Sequence, residues 1–261
     1  MDELTLMNKA ISNFAFIVPR LAGAFMVLPL FTNDIVPAMI RNVVIAAMAL
    51  VVFPLVSATL DVDAINATRM PILLAKEVFI GVVLGFCFSV VFWAIEMAGQ
   101  IIDTKVGATT AQISDPLAGH QTTLTGAFLG RFTSWLFVAS GGLLVFLDLV
   151  LTSYSVWPVH KMLPSLSLAG QEFIIDRSQQ MLLLALMLSA PALILMTMVD
   201  LGMGIMNKFA QQLNVFQLSQ PIKALIAIWM LLAMLNTIVS FVQGHLEALR
   251  GLTRELAQML T

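Results

Sequence analysis

Residues 78–99, VFIGVVLGFCFSVVFWAIEMAG, form an apolar run of 22 residues that contains a single charge, Glu96. As an α-helix this run measures about 33 Å, enough to cross the roughly 30 Å hydrocarbon layer of a membrane. Five further apolar runs of similar or greater length lie at residues 14–32, 42–60, 124–151, 181–206 and 222–242. The sequence therefore predicts an all-α, polytopic membrane-associated protein with about six apolar helical segments.

The composition excludes several classes of protein. Charged residues make up 11% of the 261 residues, against about 25% in soluble domains, so a water-soluble globule is excluded. A net charge of -2 without a Lys/Arg run argues against binding to nucleic acid. Cys87 is the single cysteine, and no cluster of His, Cys and carboxylate residues has the spacing of metal ligands. We therefore expect no cofactor and no metal site.

The chain shows no second, soluble domain. Its two longer loops cover residues 100–123 and 152–180, and no change in composition marks a linker. The fourth apolar run contains Ser140-Gly141-Gly142, so it is either one tilted helix or two pieces broken there. Beyond the last run, residues 245–261 carry leucines at helical spacing opposite charged residues, which predicts an amphipathic helix at a membrane interface.

Charged residues inside the apolar runs are unusual. Arg20, Arg131, Asp148 and Asp200 are embedded in them, and Glu77 lies near the start of the third. Each would cost roughly 2.5–3.5 kcal/mol at the centre of a lipid-facing helix, so these side chains must face protein, water or each other. Arg20 with Asp148 or Asp200 is a plausible ion pair. Two interpretations stay open: buried pairs between helices or subunits, and a pathway for protons or solutes.

Small residues and prolines also interrupt the apolar runs. Gly81-x-x-x-Gly85 and Gly126-x-x-x-Gly130 offer faces for close helix packing. Each proline removes a backbone donor and bends or ends its helix, so neighbouring protein must satisfy the freed carbonyl groups. The prolines in or beside the runs are Pro19, Pro29, Pro37, Pro54 and Pro191.

An enzymatic function is not supported by the residues. Ser140-Gly141-Gly142 could imitate the nucleophile of an intramembrane serine protease, which needs a histidine on a helix inside the membrane. The three histidines, His120, His160 and His245, lie in loops or at the ends of the runs, and the Gly-x-Ser-Gly order is missing. We therefore predict no catalytic residue and no enzyme activity.

Four groups of motifs, taken together, carry a family resemblance. The first is RLAGAFMVLPLF at 20–31, followed by Val36-Pro37 and Arg41. The second is AGQIID at 98–103, followed by Gly107 and Ser114-Asp115-Pro116. The third is Ser153-Tyr154 before Trp157-Pro158. The fourth lies in the C-terminal part of the chain and comprises Ala190-Pro191, Asp200-Leu201-Gly202, QQLNVF at 211–216 and PIK at 221–223. In this order the motifs resemble the T-component of the type III secretion export apparatus, called FliR in flagella.

The resemblance implies a structural membrane subunit that joins R- and S-components in a helical export gate of the bacterial inner membrane. Unfolded proteins in transit, the switch protein (U-component), the V-component and membrane lipid would be its other partners. Residues 1–180 are expected to resemble the R-component, residues 181–242 the hairpin of the S-component, and residues 243–261 to form the C-terminal amphipathic helix. Leu143 after Gly141-Gly142, with QQLNVF and PIK, favours a virulence-type injectisome over a flagellum.

The resemblance also implies roles for individual residues. Residues 106–123 are expected to plug the gate, with Gly107, Ser114, Asp115, Pro116 and Gly119 as plug residues. The tip at residues 207–222 is expected to lie at the cytoplasmic entrance. Its entrance residues are Gln212, Asn214, Phe216 and Pro221, and the buried structural charges are Arg20, Arg41, Asp103, Arg131, Asp148, Asp200 and Lys223.

An alternative from another class is an ion-coupled secondary transporter that uses Asp148 and Asp200 as its coupling acids. Inverted repeats between the two halves would favour it, and none is visible in the sequence.

Overall fold

The structure is a computed structural model that describes residues 3–32, 36–60, 69–107, 113–114, 121–161, 168–209 and 215–258. These residues confirm an all-α protein, with one pair of two-residue strands. The helices are α1 Glu3–Val27, α2 Ala38–Thr59, α3 Met70–Val106, α4 Leu124–Ala139, α5 Gly142–Val156, α6 Leu168–Phe209 and α7 Val215–Gln258. Strands β1 Ile113–Ser114 and β2 Gln121–Thr122 pair in antiparallel register, with Ile113 opposite Thr122.

Most helices are longer than the apolar runs that predicted them, and prolines set several boundaries. α1 ends at Val27, because Leu28 before Pro29 is extended and a short 3-10 helix, Pro29–Phe31, follows. Pro37 is the residue that precedes α2. Pro19, Pro54 and Pro191 lie inside α1, α2 and α6, where each removes one intrahelical hydrogen bond.

The fourth apolar run consists of two helices. α4 ends at Ala139 and α5 begins at Gly142, because Gly141 adopts a left-handed backbone conformation with φ of 76°. Among the described residues, five helices are long and apolar enough to cross a membrane, and counting α4 with α5 as one broken span gives six. The predicted number of apolar segments is therefore confirmed.

The chain divides into two compact units. Unit 1 comprises Met1–Ser89, Gly141–Ile175 and Leu246–Thr261, and unit 2 comprises Val90–Ser140 and Asp176–His245. The predicted boundary at residues 180/181 falls inside α6 and the one at 242/243 falls inside α7. The predicted amphipathic segment is thus the last part of α7, and its Leu246 and Leu249 are buried. The division into R-like and S-like regions stays a prediction.

In unit 1, α1 packs closely on the first half of α3. A Cβ atom at Gly81 would collide with the main-chain carbonyl of Arg20, and one at Gly85 would lie 2.6 Å from the carbonyl oxygen of Ala24. Only glycine permits this separation of the two backbones. Aromatic rings fill the adjoining core, where Phe146 makes edge-to-face contacts with Phe25 and Phe88.

Unit 2 has a core of its own. Ile102 and Val106 of α3 pack with Ala192 and Met196 of α6 and with Ala227 and Met230 of α7. α4 joins the second half of α3 at a close approach, where a Cβ atom on Gly99 would lie 2.7 Å from the Cα atom of Gly126. The two predicted small-residue faces therefore both contribute a close helix contact.

Candidate functional site

A buried ion cluster lies in unit 1. Arg20 on α1 and Glu77 on α3 are fully buried, and Arg20 Nε donates to Glu77 Oε2 at 2.6 Å. Lys76, the neighbour of Glu77 and also buried, places its Nζ 2.7 Å from Glu77 Oε1. The cluster thus holds two cations and one anion, so further acceptors must stabilise the second cation.

The turn after α5 supplies those acceptors. Arg20 Nη2 donates to the carbonyl oxygen of Trp157 at 2.8 Å, while Lys76 Nζ donates to those of Val159 at 2.8 Å and Lys161 at 2.9 Å. Carbonyl dipoles aimed at ammonium and guanidinium groups offset part of their desolvation. The cluster therefore fastens residues 157–161 to α1 and α3.

Tyr154 and Ser153 complete the cluster from α5. The Tyr154 hydroxyl donates to the carbonyl oxygen of Ile17 at 2.7 Å, and its ring lies under Arg20, with Cζ 4.2 Å from the centroid. Arg20 Nη1 donates to Ser153 Oγ at 3.2 Å. Of the residues in the Ser153-Tyr154 and Trp157-Pro158 motifs, the first three contact Arg20, and the carbonyl oxygen of Pro158 lies 3.5 Å from Lys76 Nζ.

The predicted partner of Arg20 was wrong. The expectation was Asp148 or Asp200, but the carboxylate beside Arg20 belongs to Glu77. Glu77 stands at the start of its apolar run, whereas Asp148 and Asp200 are embedded in theirs, so the sequence pattern does not single out Glu77. The signal available in the sequence is that Lys76 and Glu77 are ionisable residues at the entry to a long apolar helix, where such residues are usually paired.

A second ion cluster, in unit 2, centres on Asp200 of α6. Its Oδ2 lies 2.8 Å from Lys105 Nζ at the end of α3, and its Oδ1 lies 3.0 Å from Lys223 Nζ on α7. Lys223 is nearly buried, whereas the Lys105 and Asp200 side chains keep about a third of their surface exposed. One carboxylate therefore connects three helices.

Gly107 follows α3 directly and leads into the predicted plug. Its backbone φ is 91°, a conformation that other residues rarely adopt. The side chain of Gln220 on α7 approaches it, because Gln220 Nε2 would lie 3.1 Å from a Cβ at this position. Lys105 and Gly107 thus place the start of the predicted plug against α6 and α7.

Asp103 caps the start of α4. Its carboxylate accepts hydrogen bonds from the backbone amide and the hydroxyl of Thr125, the former at 2.7 Å. Thr123 accepts from the amide of Gly126. Negative charge near a helix N-terminus is stabilised by the helix dipole and by its free N–H groups. This buried carboxylate therefore has a structural role at the point where the predicted plug ends.

The other predicted charges lie differently. Arg41 is half-buried and donates to the carbonyl oxygen of Phe31 at 3.1 Å. Arg131 on α4 and Asp148 on α5 differ from the expectation of burial, because both are exposed on the single chain. Exposed charges inside apolar helices still need a partner if those helices enter a membrane.

Several predicted plug and entrance residues lie outside the described part of the chain, namely Asp115, Pro116, Gly119, Gln212 and Asn214. Ser114 belongs to β1, while Phe216 and Pro221 belong to the first two turns of α7. Among the residues that the structure describes, no three His, Cys, Asp or Glu side chains are grouped so that they could hold a metal ion.

Comparison with known proteins gives a family. Residues 11–249 match the family described as bacterial export proteins, family 1. The chain is 32% identical over 223 residues to the Yop proteins translocation protein T of Yersinia pestis, covering 85% of both chains. It is 33% identical to the secretion system apparatus protein SsaT of Salmonella typhimurium, covering 84% of both.

A flagellar relative matches at lower identity. The flagellar biosynthetic protein FliR of Bacillus subtilis is 26% identical over 246 residues, covering 92% of this chain and 93% of its own length. The matches thus extend over almost the whole chain, and they include both an injectisome-type and a flagellar protein. The chain therefore belongs to the bacterial export proteins, family 1, the family of the T-component of the type III secretion export apparatus.

Proposed function

We propose that the chain is the structural T-subunit of an injectisome export gate in the bacterial inner membrane. With R- and S-components it would form the channel through which unfolded proteins leave the cytoplasm. The observation that carries this proposal, beside family membership, is exposed charge inside two apolar helices. Arg131 on α4 and Asp148 on α5 are exposed, and each has an exposed apolar side chain one helical turn away, Trp135 and Leu144.

Neither lipid nor water suits this combination of side chains. A charged side chain at the centre of a lipid-facing helix costs roughly 2.5–3.5 kcal/mol, whereas burial of the neighbouring apolar surface contributes about 25 cal/mol per Å². Contact with other subunits of a helical assembly would cover the apolar surface and could supply partners for the charges.

Co-expression tests the assembly directly. Expressed alone in membranes, the chain is expected to be degraded or to aggregate, because its apolar and charged surfaces lack partners. Co-expression with R- and S-components should give one stable complex in mild detergent, whereas co-expression with an unrelated polytopic protein should not. A stable, monodisperse chain that ignores both components would contradict the proposal.

We further propose that the subunit performs no chemistry of its own, and that the switch protein and the V-component contact the gate. Support comes from the names of its relatives, which are secretion components. Asp200, a coupling acid in the transporter alternative, is held by two lysines, which does not favour that alternative. Replacement of Ser140 by Ala should leave secretion unchanged, and a loss of secretion with normal assembly would favour the protease alternative.

Residues 106–123 are proposed to act as the plug of the gate. Both ends of this segment are fixed by charged side chains: Lys105 pairs with Asp200 before it, and Asp103 caps α4 after it. Glycine, threonine and the Asp115-Pro116 pair disfavour a regular helix between these anchors. A segment held at its ends and poor in strong packing residues can be displaced at low cost.

Deletion of residues 108–119 tests the plug, because both anchors remain. The complex is expected to assemble normally but to leak ions or small molecules across the membrane. Replacement of Gly107 by Leu should impair secretion instead, since Gly107 has a positive φ and faces Gln220. A deletion complex that is as tight as wild type and still secretes would show that the segment is a surface loop.

The tip between α6 and α7 is proposed to face the cytoplasm and to contact the switch protein. The family resemblance supports this placement, and polar residues Gln211, Gln212, Asn214 and Gln217 interrupt the two apolar arms. In a Cys87→Ala background, cysteine at Gln212 should react with an impermeant thiol reagent only when membranes are opened to the cytoplasmic side. Labelling from the periplasm alone would refute the placement.

A further inference from the structure

Helix α4 has one buried face and one exposed face. The buried face consists of Gly126, Leu129, Thr133, Leu136 and Phe137. The exposed face consists of Leu124, Phe128, Arg131, Trp135 and Val138, which we call the α4 seam. Its four apolar side chains are each more than half exposed, and Leu124 reaches 70%.

The spacing of the α4 seam is that of a helix-pairing surface. Its positions follow one another at intervals of four, three, four and three residues, the pattern of the a and d positions in a coiled coil. Phe132, beside the seam, stacks on Phe128 with centroids 6.3 Å apart and contacts Trp135 at 6.3 Å. Rigid aromatic side chains with an arginine are typical of the residues that dominate binding energy at interfaces.

Arg131 distinguishes this surface from one made for lipid. It is exposed and has no hydrogen bond or ion pair to any described residue. It lies near the middle of the 16-residue helix, about 10 Å from its start and about 12 Å from its end. A guanidinium at the centre of an apolar helix is unfavourable against hydrocarbon, so Arg131 faces protein or water. The four exposed apolar side chains on the same face favour protein over water, and a carboxylate on that protein would neutralise Arg131.

We infer that the α4 seam binds an apolar helix of a partner subunit that carries one Asp or Glu facing Arg131. This inference rests on the proposed function, because it requires another membrane subunit beside the chain. Arginine and a carboxylate form a bidentate pair, which fixes the register of two apolar helices as well as attracting them. Charge complementarity thus defines the partner as a helix that is apolar along the face that contacts the α4 seam and carries one acidic residue at the middle of that face.

A second copy of α4 is a poor partner by the same argument. Because Arg131 lies at the centre of the seam, parallel and antiparallel pairing of two α4 helices would both place one Arg131 beside the other. Like charges in a medium of low dielectric constant repel strongly. The seam therefore favours a different helix over its own copy.

Site-specific cross-linking on the assembled complex identifies the partner. A photo-reactive residue at Trp135 is expected to cross-link to a helix of another subunit, within one heptad of an Asp or Glu. The same probe at Leu129, which is buried, should give no such product and serves as the control. Products with lipid alone, or with the α5 helix of a second copy around Asp148, would overturn the inference.

Charge reversal then tests Arg131 itself. Arg131→Glu is expected to lower the amount of chain recovered with its partner at least about tenfold, while Arg131→Lys should lower it less. Because Arg131 is exposed, both variants should fold, and recovery of Arg131→Glu in the complex rescued by charge exchange checks this. Replacing the identified acidic residue of the partner by Arg should restore recovery of Arg131→Glu. The inference would be overturned if Arg131→Glu were recovered with its partner as well as the wild-type chain is. It would also be overturned if replacing the partner's acidic residue by Arg did not restore the recovery of Arg131→Glu.

The outcome also separates this inference from the proposed function. If the complex with R- and S-components forms whatever the charge at position 131, the proposed function is supported. The same result would refute the inference that the α4 seam binds an acidic helix. If the chain never associates with those components, the proposed function fails. In that case cross-linking at Trp135 in native membranes still tests whether the α4 seam binds an acidic helix. If exchanging the charges of position 131 and the cross-linked acidic residue restores binding, the inference holds. If the exchange does not restore binding, the inference is refuted.

Discussion

Replacing Glu77 by Gln removes the single anion from the buried cluster of unit 1 while keeping the shape of the side chain. In the wild-type chain Glu77 contacts two cations, Arg20 at 2.6 Å and Lys76 at 2.7 Å. The exposed fractions of these side chains are 0% for Arg20 and Glu77 and 2% for Lys76. Solvent therefore cannot replace the lost negative charge.

The magnitude follows from this geometry. Removing one partner of a buried ion pair costs about 3–5 kcal/mol, because it leaves an uncompensated charge. Glu77→Gln breaks two such pairs, and the carbonyl oxygens of Trp157, Val159 and Lys161 offset only part of the two remaining positive charges. We expect a loss of at least about 3–5 kcal/mol, which corresponds to a fall in Tm of roughly 6–20 °C for a chain of this size.

Thermal unfolding of the complex in mild detergent, with protein level in membranes as a second readout, measures the effect. Glu96→Gln is the matched control, because Glu96 is a half-buried carboxylate on the same helix that accepts a hydrogen bond from Gln100. Adding Arg20→Met to Glu77→Gln should recover part of the loss, since one unpaired cation disappears. If Glu77→Gln and Glu96→Gln agree within about 1 kcal/mol, the cluster does not stabilise unit 1.

Three further predictions test other contacts. Gly81→Ala should destabilise the chain by about 1–3 kcal/mol, because the new Cβ would meet the α1 backbone. Gly202→Ala, which has open space around it, should leave stability unchanged or raise it by up to about 1 kcal/mol. Equal effects of the two variants in thermal unfolding would contradict this prediction. Asp103→Asn should cost about 1–2 kcal/mol and speed amide hydrogen exchange in the first turn of α4, and unchanged exchange there would be evidence against the cap. Asp200→Asn should weaken the contact between α3, α6 and α7 and make the gate leak ions, and an ion-tight complex would argue against the anchoring role.

The sequence by itself determined the helical class and the approximate number of apolar segments. Long apolar runs can only be helices in a membrane environment, because every backbone donor and acceptor must be satisfied within the segment. Pro29 and Gly141 act locally, so the sequence marked both places as possible breaks. Whether the fourth run is one helix or two stayed open until the structure gave Gly141 a positive φ. The family resemblance likewise rests on motifs that are read in order along the chain.

Only the tertiary structure decided which charges are paired and which are exposed. Arg20 meets Glu77 across 57 residues and Trp157 across 137, and apolar periodicity carries no information about such distant contacts. Embedded charge indicates that a partner is needed but not where it lies, because Coulomb attraction depends on distance in space and not along the chain. For the same reason the sequence could not separate Arg20, which is buried among its partners, from Arg131, which faces outward from α4. Packing of the helices made that distinction.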